Sequence, residues 1–258
     1  MRFTQAIVRT PGASYAKGLT TSSALGAPVL STARAQHLAY VEALRSCGLR
    51  VTMLEPDEAH PDSTFVEDTA VIADRVAVAT RPGAHARAGE VSSIVAALRA
   101  LGREPMPIQA PGTVDGGDVC QAEDHFLIGI SARTNENGAR QLAGIVQDHG
   151  YRASIIDVRT VPGLLHLKSG ISYLGDGWMV VAPGVPSAGA LAGFKRIAVD
   201  SGESYAANCV LVNDQVLFAS GFPRMAATFA AHGFATISLE VSEFQKMDGG
   251  LSCLSLRF

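Results

Sequence analysis

Apolar and polar residues follow a pattern that repeats about every fifty residues along the chain. The first complete copy comprises three β-rich runs and one stretch of helical spacing, at Thr69–Ala73, Val76–Thr80, Glu90–Leu101 and Pro105–Ile108. Asp74-Arg75 separates the first two runs as a turn, and Gly102 stops the helical stretch, where glycine is a usual terminator. This order predicts a β-hairpin, a helix and a returning strand.

Three more copies follow in the same order, and the middle one is the weakest. The second copy covers Asp118–Gln121, His125–Ile130, a helix through Leu142, Ile145 and Val146, and Arg152–Val158. The third covers Gly170–Leu174, Trp178–Ala182, a weak helix near Ala188–Phe194, and Arg196–Val199. The fourth covers Cys209–Val212, Val216–Ala219, a helix at Met225–Ala231, and Ala235–Val241.

A fifth copy is divided between the two ends of the chain. Its parts are Cys253–Phe258, Phe3–Val8, a helix at Ala33–Cys47 with Leu38, Val41 and Leu44 on its apolar face, and Val51–Leu54. Repeats of this period indicate a solenoid, propeller or array, and a unit shared by both ends favours a closed ring. We therefore predict one α/β domain over residues 1–258, built from five ββαβ units and closed by pairing of the N- and C-terminal strands.

Polar residues recur at the start of each unit. The markers Asp68, Asp118, His166, Cys209 and Cys253 begin the five units in turn. Equivalent positions in a ring face a common centre, so we expect carboxylates, an imidazole and thiols to converge there. Such a set contains a nucleophile, a base and an orienting acid. The extra residues 12–30 are rich in Gly, Ser, Thr and Ala and predict a loop or lid.

Composition narrows the class of protein. Charged residues make up 17%, hydrophobic residues 47%, and the formal net charge is −3, which argues against disorder and against a nucleic-acid or membrane-surface partner. The longest uncharged stretch, Gly177–Phe194, is broken by prolines and glycines and does not predict a membrane span. No signal peptide is visible, and the four scattered cysteines indicate neither a zinc site nor a disulfide framework. We expect a reduced, cytoplasmic compartment; a homodimer is compatible with these observations.

Several strings resemble one family. In chain order they are PDSTFVEDTAV, APGTVDGGDV, SARTNENGARQ, LHLKSG, ESYAANCV and KMDGGLSCLSLRF. Together they resemble the dimethylarginine dimethylaminohydrolases of the guanidino-group-modifying (pentein) superfamily. The resemblance implies a five-bladed α/β propeller. It also implies hydrolysis of asymmetric dimethylarginine and monomethylarginine to L-citrulline plus dimethylamine or methylamine, through a covalent cysteine thiouronium and without a metal or organic cofactor.

The resemblance also implies roles for single residues. Cys253 matches the nucleophile, His166 the general acid/base, and Asp115 the acid that orients the histidine, where many relatives have Glu. The residues implied in substrate binding are Asp68 with Glu67 for the guanidinium, Arg87 and Arg133 for the α-carboxylate, and Leu19 with Asp62 for the α-amino end.

One departure bears on specificity. Arginine deiminases resemble this chain but carry HLD at the histidine motif, where this sequence has HLK, so Lys168 replaces a substrate-binding carboxylate. That change favours a methylated guanidinium, which offers fewer N–H groups. The alternatives are an arginine deiminase-like or other guanidine-modifying hydrolase, and a non-catalytic propeller that serves as a binding module. The intact set of Cys253, His166 and Asp115 argues against the second, and the lack of an HxxxH or HxH pair argues against a metal hydrolase.

Other candidate residues have a structural interpretation. Gly116-Gly117 predicts a close approach of the backbone beside Asp118. Cys209 is interpreted as a packing residue. The histidines interpreted as structural or solvated are His37, His60, His85, His125, His149 and His232.

Overall fold

A computed structural model describes residues 2–186 and 189–258, and in this part of the chain the strands form five three-stranded sheets. The strands are β1 (Gln5–Arg9), β2 (Arg50–Leu54), β3 (Ala70–Ile72), β4 (Ala77–Ala79), β5 (Met106–Pro107), β6 (Val119–Ala122), β7 (His125–Ile130), β8 (Arg152–Asp157), β9 (Ile171–Tyr173), β10 (Trp178–Val181), β11 (Lys195–Ala198), β12 (Val210–Val212), β13 (Gln215–Ala219), β14 (Thr236–Leu239) and β15 (Leu256–Arg257). The α-helices are α1 (Leu30–Ser46), α2 (Val91–Ala100), α3 (Glu136–Asp148), α4 (Leu167–Gly170), α5 (Pro223–Ala231) and α6 (Ser242–Gln245).

All five sheets share one topology. The sheet orders are β3-β4-β5, β6-β7-β8, β9-β10-β11, β12-β13-β14 and β15-β1-β2. In each sheet the first two strands are antiparallel and the third is parallel to the central one. A parallel return needs a long crossover, which the helical stretches supply. The sheets therefore fit the predicted α/β fold with a pseudo-fivefold repeat.

The fifth sheet combines strands from both ends of the chain, as the sequence predicted. Ala6 lies opposite Arg257 across the antiparallel pair, and Gln5 lies opposite Arg50 across the parallel pair. The backbone N–H of Gln5 also donates to the carbonyl of Phe258 at 2.8 Å.

Local sequence accounts for three of the helix ends. Asn135 caps α3 by accepting a hydrogen bond from the N–H of Gly138 at 2.8 Å. Gly102 and Gly150, which follow α2 and α3, have φ angles of 77° and 78°, a region where glycine carries no steric penalty. These predicted stops are confirmed.

Three predicted details are wrong. The weak helix near Ala188–Phe194 starts outside the described residues, and from Gly189 it is a single 3-10 turn, Gly189–Leu191, because Gly189 has a φ of 65°. Cys253 is not in a strand: it lies in the 3-10 turn Ser252–Leu254, and the strand starts at Leu256. The first strand of the fourth copy likewise starts after Cys209, at Val210.

The apolar face of α1 also differs from the prediction. Leu38 is 51% exposed, whereas His37 is buried. The buried positions Ala33, His37, Tyr40, Val41 and Leu44 follow helical spacing, and Leu38 lies off that face.

The chain divides into two compact units. One unit runs to Val66 and resumes at Asn208, and the other is Glu67–Ala207. In the second unit, Phe126 and Ile128 of β7 pack with Leu142 and Val146 of α3 in one buried apolar cluster. Full burial of such a side chain contributes roughly 1.5–3 kcal/mol, so this cluster anchors the strands whose starts carry the polar markers.

The first unit has an aromatic core. The rings of Tyr15, Phe65 and Phe244 have centroids 5.9 to 6.3 Å apart in tilted or edge-on geometry, which favours aromatic contact. His37 lies beside Phe244 at 6.4 Å. Tyr15 thereby fixes one end of the segment 12–30.

None of the helices in the described part of the chain combines the length and the apolar character that crossing a membrane requires.

Candidate active site

Three buried titratable residues meet in the second unit. Asp68 lies in the 3-10 turn before β3, Asp115 precedes the 3-10 turn before β6, and His166 precedes α4 and β9. Their ligand atoms all lie within 4.8 Å of one another. Starts of three successive repeats therefore deliver these side chains to one place, as the repeat spacing predicted.

His166 is held as a cation by its carboxylate neighbours. Its Nε2–H donates to Asp115 Oδ2 at 3.2 Å. Burial by itself lowers the pKa of His166, but the charge of Asp68 and then the bond to Asp115 and the charge of Asp118 raise that pKa to about 9. The imidazole is therefore protonated at neutral pH and can donate a proton.

Asp68 is correspondingly held as an anion. Its Oδ1 accepts a hydrogen bond from the N–H of Gly117 at 2.8 Å, and its Oδ2 accepts one from Arg87 Nη1. Burial by itself raises the pKa of Asp68, but the positive charges of His166 and Arg87 and the N–H of Gly117 lower it to about 2. A buried, permanently charged carboxylate suits a cationic ligand.

The two glycines after Asp115 permit this close packing. A Cβ on Gly116 would lie 2.0 Å from the carbonyl oxygen of Glu67. A Cβ on Gly117 would lie 2.8 Å from His166 Nδ1 and 2.9 Å from Asp68 Oδ1. The predicted close approach of the backbone is confirmed, and any side chain here would displace the carboxylate and the imidazole.

The two arginines of the prediction have different surroundings. Arg87 is buried between Asp68 and Glu90, and its Nη2 lies 2.7 Å from Glu90 Oε2. These two carboxylates raise the pKa of Arg87 against the opposing effect of burial. Arg133 is half-buried, and its guanidinium has no hydrogen bond or ion pair to any side chain in residues 2–186 and 189–258. Sequence reasoning missed Glu90, whose signal is its position three residues after Arg87 on a helical turn.

Glu67 is engaged by a lysine. Lys168 Nζ lies 2.6 Å from Glu67 Oε1, and the side chains are 17% and 4% exposed. Glu67 and Lys168 are thus direct partners. The sequence had indicated them separately, Glu67 as a guanidinium ligand and Lys168 as a departure from the deiminase pattern.

Asp118 supports the loop that carries the histidine. Its Oδ1 accepts a hydrogen bond from the N–H of Leu167 at 2.9 Å, and its Oδ2 accepts one from Ser131 Oγ at 2.6 Å. Ser131 in turn accepts from the N–H of Arg133 at 2.9 Å. Asp118 was only a repeat marker in the sequence; its contacts connect the His166 loop to the Arg133 loop.

The turn that carries Cys253 is fixed within the first unit. Asn208 Nδ2 donates to Ser252 Oγ, and the N–H of Ser252 donates to Asn208 Oδ1, both at 3.0 Å. A Cβ on Gly250 would lie 2.6 Å from Asn208, so glycine is required for this approach. Cys253 itself is half-buried and is not part of a disulfide bond. Asn208 directly precedes the marker Cys209 and is a further residue of this site to which the sequence assigned no role.

Leu19 and Asp62 are also brought together within the first unit. The N–H of Leu19 donates to Asp62 Oδ1 at 3.0 Å, and the side chain of Leu19 is 43% exposed. Four other residues of the segment 12–30 are bound in the same way, by carboxylates that accept their backbone N–H groups. These acceptors are Glu58 for Ala13 and Ser14, Asp248 for Thr21, and Glu243 for Val29.

Cys120 and Cys209 are buried, as expected of packing residues. Burial raises the pKa of Cys120 to about 11, so its thiol is not nucleophilic at neutral pH.

The triplet of Asp68, Asp115 and His166 has the residue types of a metal site. The Nε2 atom of His166, however, is already hydrogen-bonded to Asp115 Oδ2 at 3.2 Å. Asp68 is also paired with the guanidinium of Arg87. The charges present are therefore already compensated, and the arrangement fits a proton donor beside an anchor for a cation.

Comparisons with known proteins give one family-model match and several relatives of similar sequence. A family model described as arginine deiminase matches residues 97–221. The N(G),N(G)-dimethylarginine dimethylaminohydrolase of Pseudomonas aeruginosa is 44% identical over 257 residues, which cover 99% of this chain and 100% of that relative.

Solved structures give the same result. The Pseudomonas aeruginosa enzyme, as a cysteine-to-serine variant complexed with citrulline, has a TM-score of 0.95 at 42% identity and covers 100% of both chains. A histidine-to-glycine variant of a dimethylarginine dimethylaminohydrolase, as an adduct with S-methyl-L-thiocitrulline, has a TM-score of 0.94 at 42% identity and covers 99% of this chain and 100% of that one.

Proposed function

The chain belongs to the dimethylarginine dimethylaminohydrolase family, and we propose that it hydrolyses asymmetric dimethylarginine and monomethylarginine to L-citrulline plus dimethylamine or methylamine. The observation that carries the proposal is His166, which is kept protonated between two buried carboxylates. Hydrolysis of a guanidinium needs a proton donor for a basic amine, and this imidazole supplies one at neutral pH.

The first step is attack on the guanidinium carbon. This carbon is a weak electrophile because three nitrogens share the positive charge, so a thiolate is the side chain best suited to attack it. Cys253 is the nucleophile in the proposal, and Asp68 holds the cation through charge-assisted N–H···O bonds. The new S–C bond forms as the C–N bond to the methylated nitrogen breaks, and His166 gives its proton to the departing amine.

The second step regenerates the enzyme. His166, now neutral, removes a proton from water, and the resulting hydroxide attacks the carbon of the S-alkylthiouronium. The S–C bond breaks, the O–H proton of the adduct passes to solvent, citrulline leaves and Cys253 returns as a thiolate. Asp115 keeps the ring oriented through its hydrogen bond to Nε2 in both steps.

The proposal assigns the remaining binding residues to the amino-acid end of the substrate. Arg133 has an uncommitted guanidinium among the described residues and is the partner for the α-carboxylate, with Arg87 contributing from its position between two carboxylates. The α-amino end is assigned to Leu19 and Asp62 and the guanidinium to Asp68 and Glu67. Residues 12–30 serve as the lid, since they carry Leu19, whose backbone N–H is bound to Asp62, the carboxylate assigned to the α-amino group.

We extend the proposal to the fold and setting. Residues 1–258 form a single catalytic domain, a propeller closed by the pairing of the terminal strands; the shared sheet topology and the β15–β1 pairing support this. None of the four cysteines forms a disulfide bond in the described part of the chain, which supports a reduced, cytoplasmic compartment. The homodimer stays a prediction.

One assay tests the function. The protein is incubated with asymmetric dimethylarginine, monomethylarginine and arginine, and citrulline is measured. Faster release from the methylated substrates supports the proposal, whereas faster release from arginine favours a deiminase-like enzyme. Cys253→Ser should keep the fold by circular dichroism and lose nearly all turnover, because a hydroxyl is a far weaker nucleophile. Substantial citrulline from that variant would move the chemistry to another residue.

A further inference from the structure

Glu67 and Lys168 form an ion pair, and each of them lies within two residues of a proposed site residue in the sequence. Glu67 directly precedes Asp68, and Lys168 lies two residues after His166. The pair is 2.6 Å long and its carboxylate is 4% exposed. Cys120 is close enough that its thiol experiences the charges of both residues, and it is fully buried and neutral. The surroundings are therefore poorly solvating, and a bare carboxylate there would be costly.

A second carboxylate beside Asp68 has opposite consequences for two substrates. Arginine carries N–H groups on both terminal guanidinium nitrogens, so each nitrogen can satisfy an acceptor. Asymmetric dimethylarginine carries two methyl groups on one terminal nitrogen. That nitrogen therefore has no N–H group to donate. An uncompensated buried carboxylate would then lose hydrogen bonds on binding the dimethylated substrate but gain them on binding arginine.

We propose that Lys168 is a specificity-determining residue that engages Glu67 within the protein, so that the Glu67 carboxylate keeps a charged partner when the dimethylated nitrogen of the substrate offers it no N–H group. Lys168 thus acts through Glu67 and does not contact the substrate. This inference rests on the proposed function and goes further: the preference for methylated substrate depends on the added cation as well as on the loss of a deiminase-type carboxylate.

The test is a double-mutant cycle read as a selectivity ratio. The ratio is kcat/KM for arginine divided by kcat/KM for asymmetric dimethylarginine. Lys168→Met exposes the Glu67 carboxylate to the substrate and should raise the ratio about tenfold or more, the usual effect of one hydrogen bond to a charged group. Lys168→Arg keeps the charge and should keep the ratio within about threefold of the wild type.

The second half of the cycle isolates the route through Glu67. Glu67→Gln combined with Lys168→Met removes both charges, and its ratio should return to within about threefold of the wild type. Lys195→Met makes the same chemical change at a strand position where the lysine lies over the ring of Trp178, and it should leave the ratio unchanged. Thermal unfolding of each variant reports folding, and Lys168→Gln replaces Lys168→Met should the latter not fold.

Failure of the inference and failure of the proposed function give different results. Wild-type protein that releases citrulline from none of the substrates sinks the proposed function. Active wild-type protein whose ratio is unmoved by Lys168→Met or Lys168→Gln sinks only the role of Lys168. A raised ratio that persists in the double variant also overturns the inference, because the effect would then not pass through Glu67.

Discussion

Asp118 accepts a hydrogen bond from the backbone N–H of Leu167, 2.9 Å from its Oδ1, and so holds the residue that follows His166. The same carboxylate is fully buried and adds to the negative charge that keeps His166 protonated. One side chain therefore sets both the position of the imidazole and part of its basicity.

Asp118→Asn should lower kcat about tenfold and shift the alkaline limb of the pH–rate profile to lower pH, because the imidazolium loses a neighbouring anion. The measurement is kcat against pH with a methylated arginine. Asp124→Asn is the control, since Asp124 pairs with Arg152 on the surface of the same unit, where ion pairs contribute little. An unshifted alkaline limb would limit Asp118 to a structural role.

Variants of His166 and Asp68 should fail in different ways. His166→Gln keeps the anchor but lacks the proton donor, so it should bind substrate and lose about 10²–10⁴-fold in kcat. Asp68→Asn removes the charge that holds the guanidinium, so binding should weaken and kcat/KM should fall. Equilibrium binding beside single-turnover citrulline formation separates the two; loss of binding by the His166 variant alone would mean that the roles are reversed.

The pKa of His166 predicts a pH dependence of activity. The acid form is present up to about pH 9, so kcat/KM should stay level through neutral pH and fall as the pH rises through about 9. A kcat/KM profile that already falls near pH 6.5 would mean that the carboxylates do not hold the proton.

The same shift predicts a pH dependence of stability. The folded pKa of about 9 lies above the ordinary 6.5, so the folded state binds the proton more tightly. The resulting contribution to the free energy of unfolding is fully present below pH 6.5 and is lost as the pH rises toward 9. Urea unfolding of wild type and His166→Gln at several pH values measures it: the difference in unfolding free energy between them should shrink over that window. A difference that stays constant would contradict the shift.

Asn208 should matter for turnover although it carries no reactive group. Asn208→Ala removes both hydrogen bonds to Ser252, the residue before Cys253, and should lower kcat by about tenfold because a misplaced nucleophile reacts slowly. Asn137→Ala, on the exposed face of α3, is the control. If kcat is kept while the melting temperature falls, Asn208 serves stability only.

Arg133 should act on the carboxylate end of the substrate. Arg133→Ala should raise KM for methylarginine about tenfold or more, since an arginine–carboxylate pair is lost. A methylated guanidine that lacks the α-carboxylate should be turned over equally by both proteins. Equal losses on both compounds would remove Arg133 from that role.

Much of the architecture was determined by the sequence alone. Strand–turn–strand–helix–strand order is a local property, because alternation, helical spacing and terminal glycines act over a few residues. The split fifth unit was predicted by the same logic and is present as the β15-β1-β2 sheet. The places where local patterning failed are those where it is weakest, such as the stretch after Gly189 and the face of α1, where His37 is buried and Leu38 is not.

Only the tertiary structure decided which charged and polar groups pair. Asp68 is 19 residues from Arg87 and 98 from His166, Glu67 is 101 residues from Lys168, and Asn208 is 44 from Ser252. Repeat spacing predicted that Asp68 and His166 lie close together, but it carries no information about partners, because an ion pair depends on side-chain direction, burial and neighbouring charge. The protonation of His166 and the ion pair of Glu67 with Lys168 follow from these three properties of the folded chain.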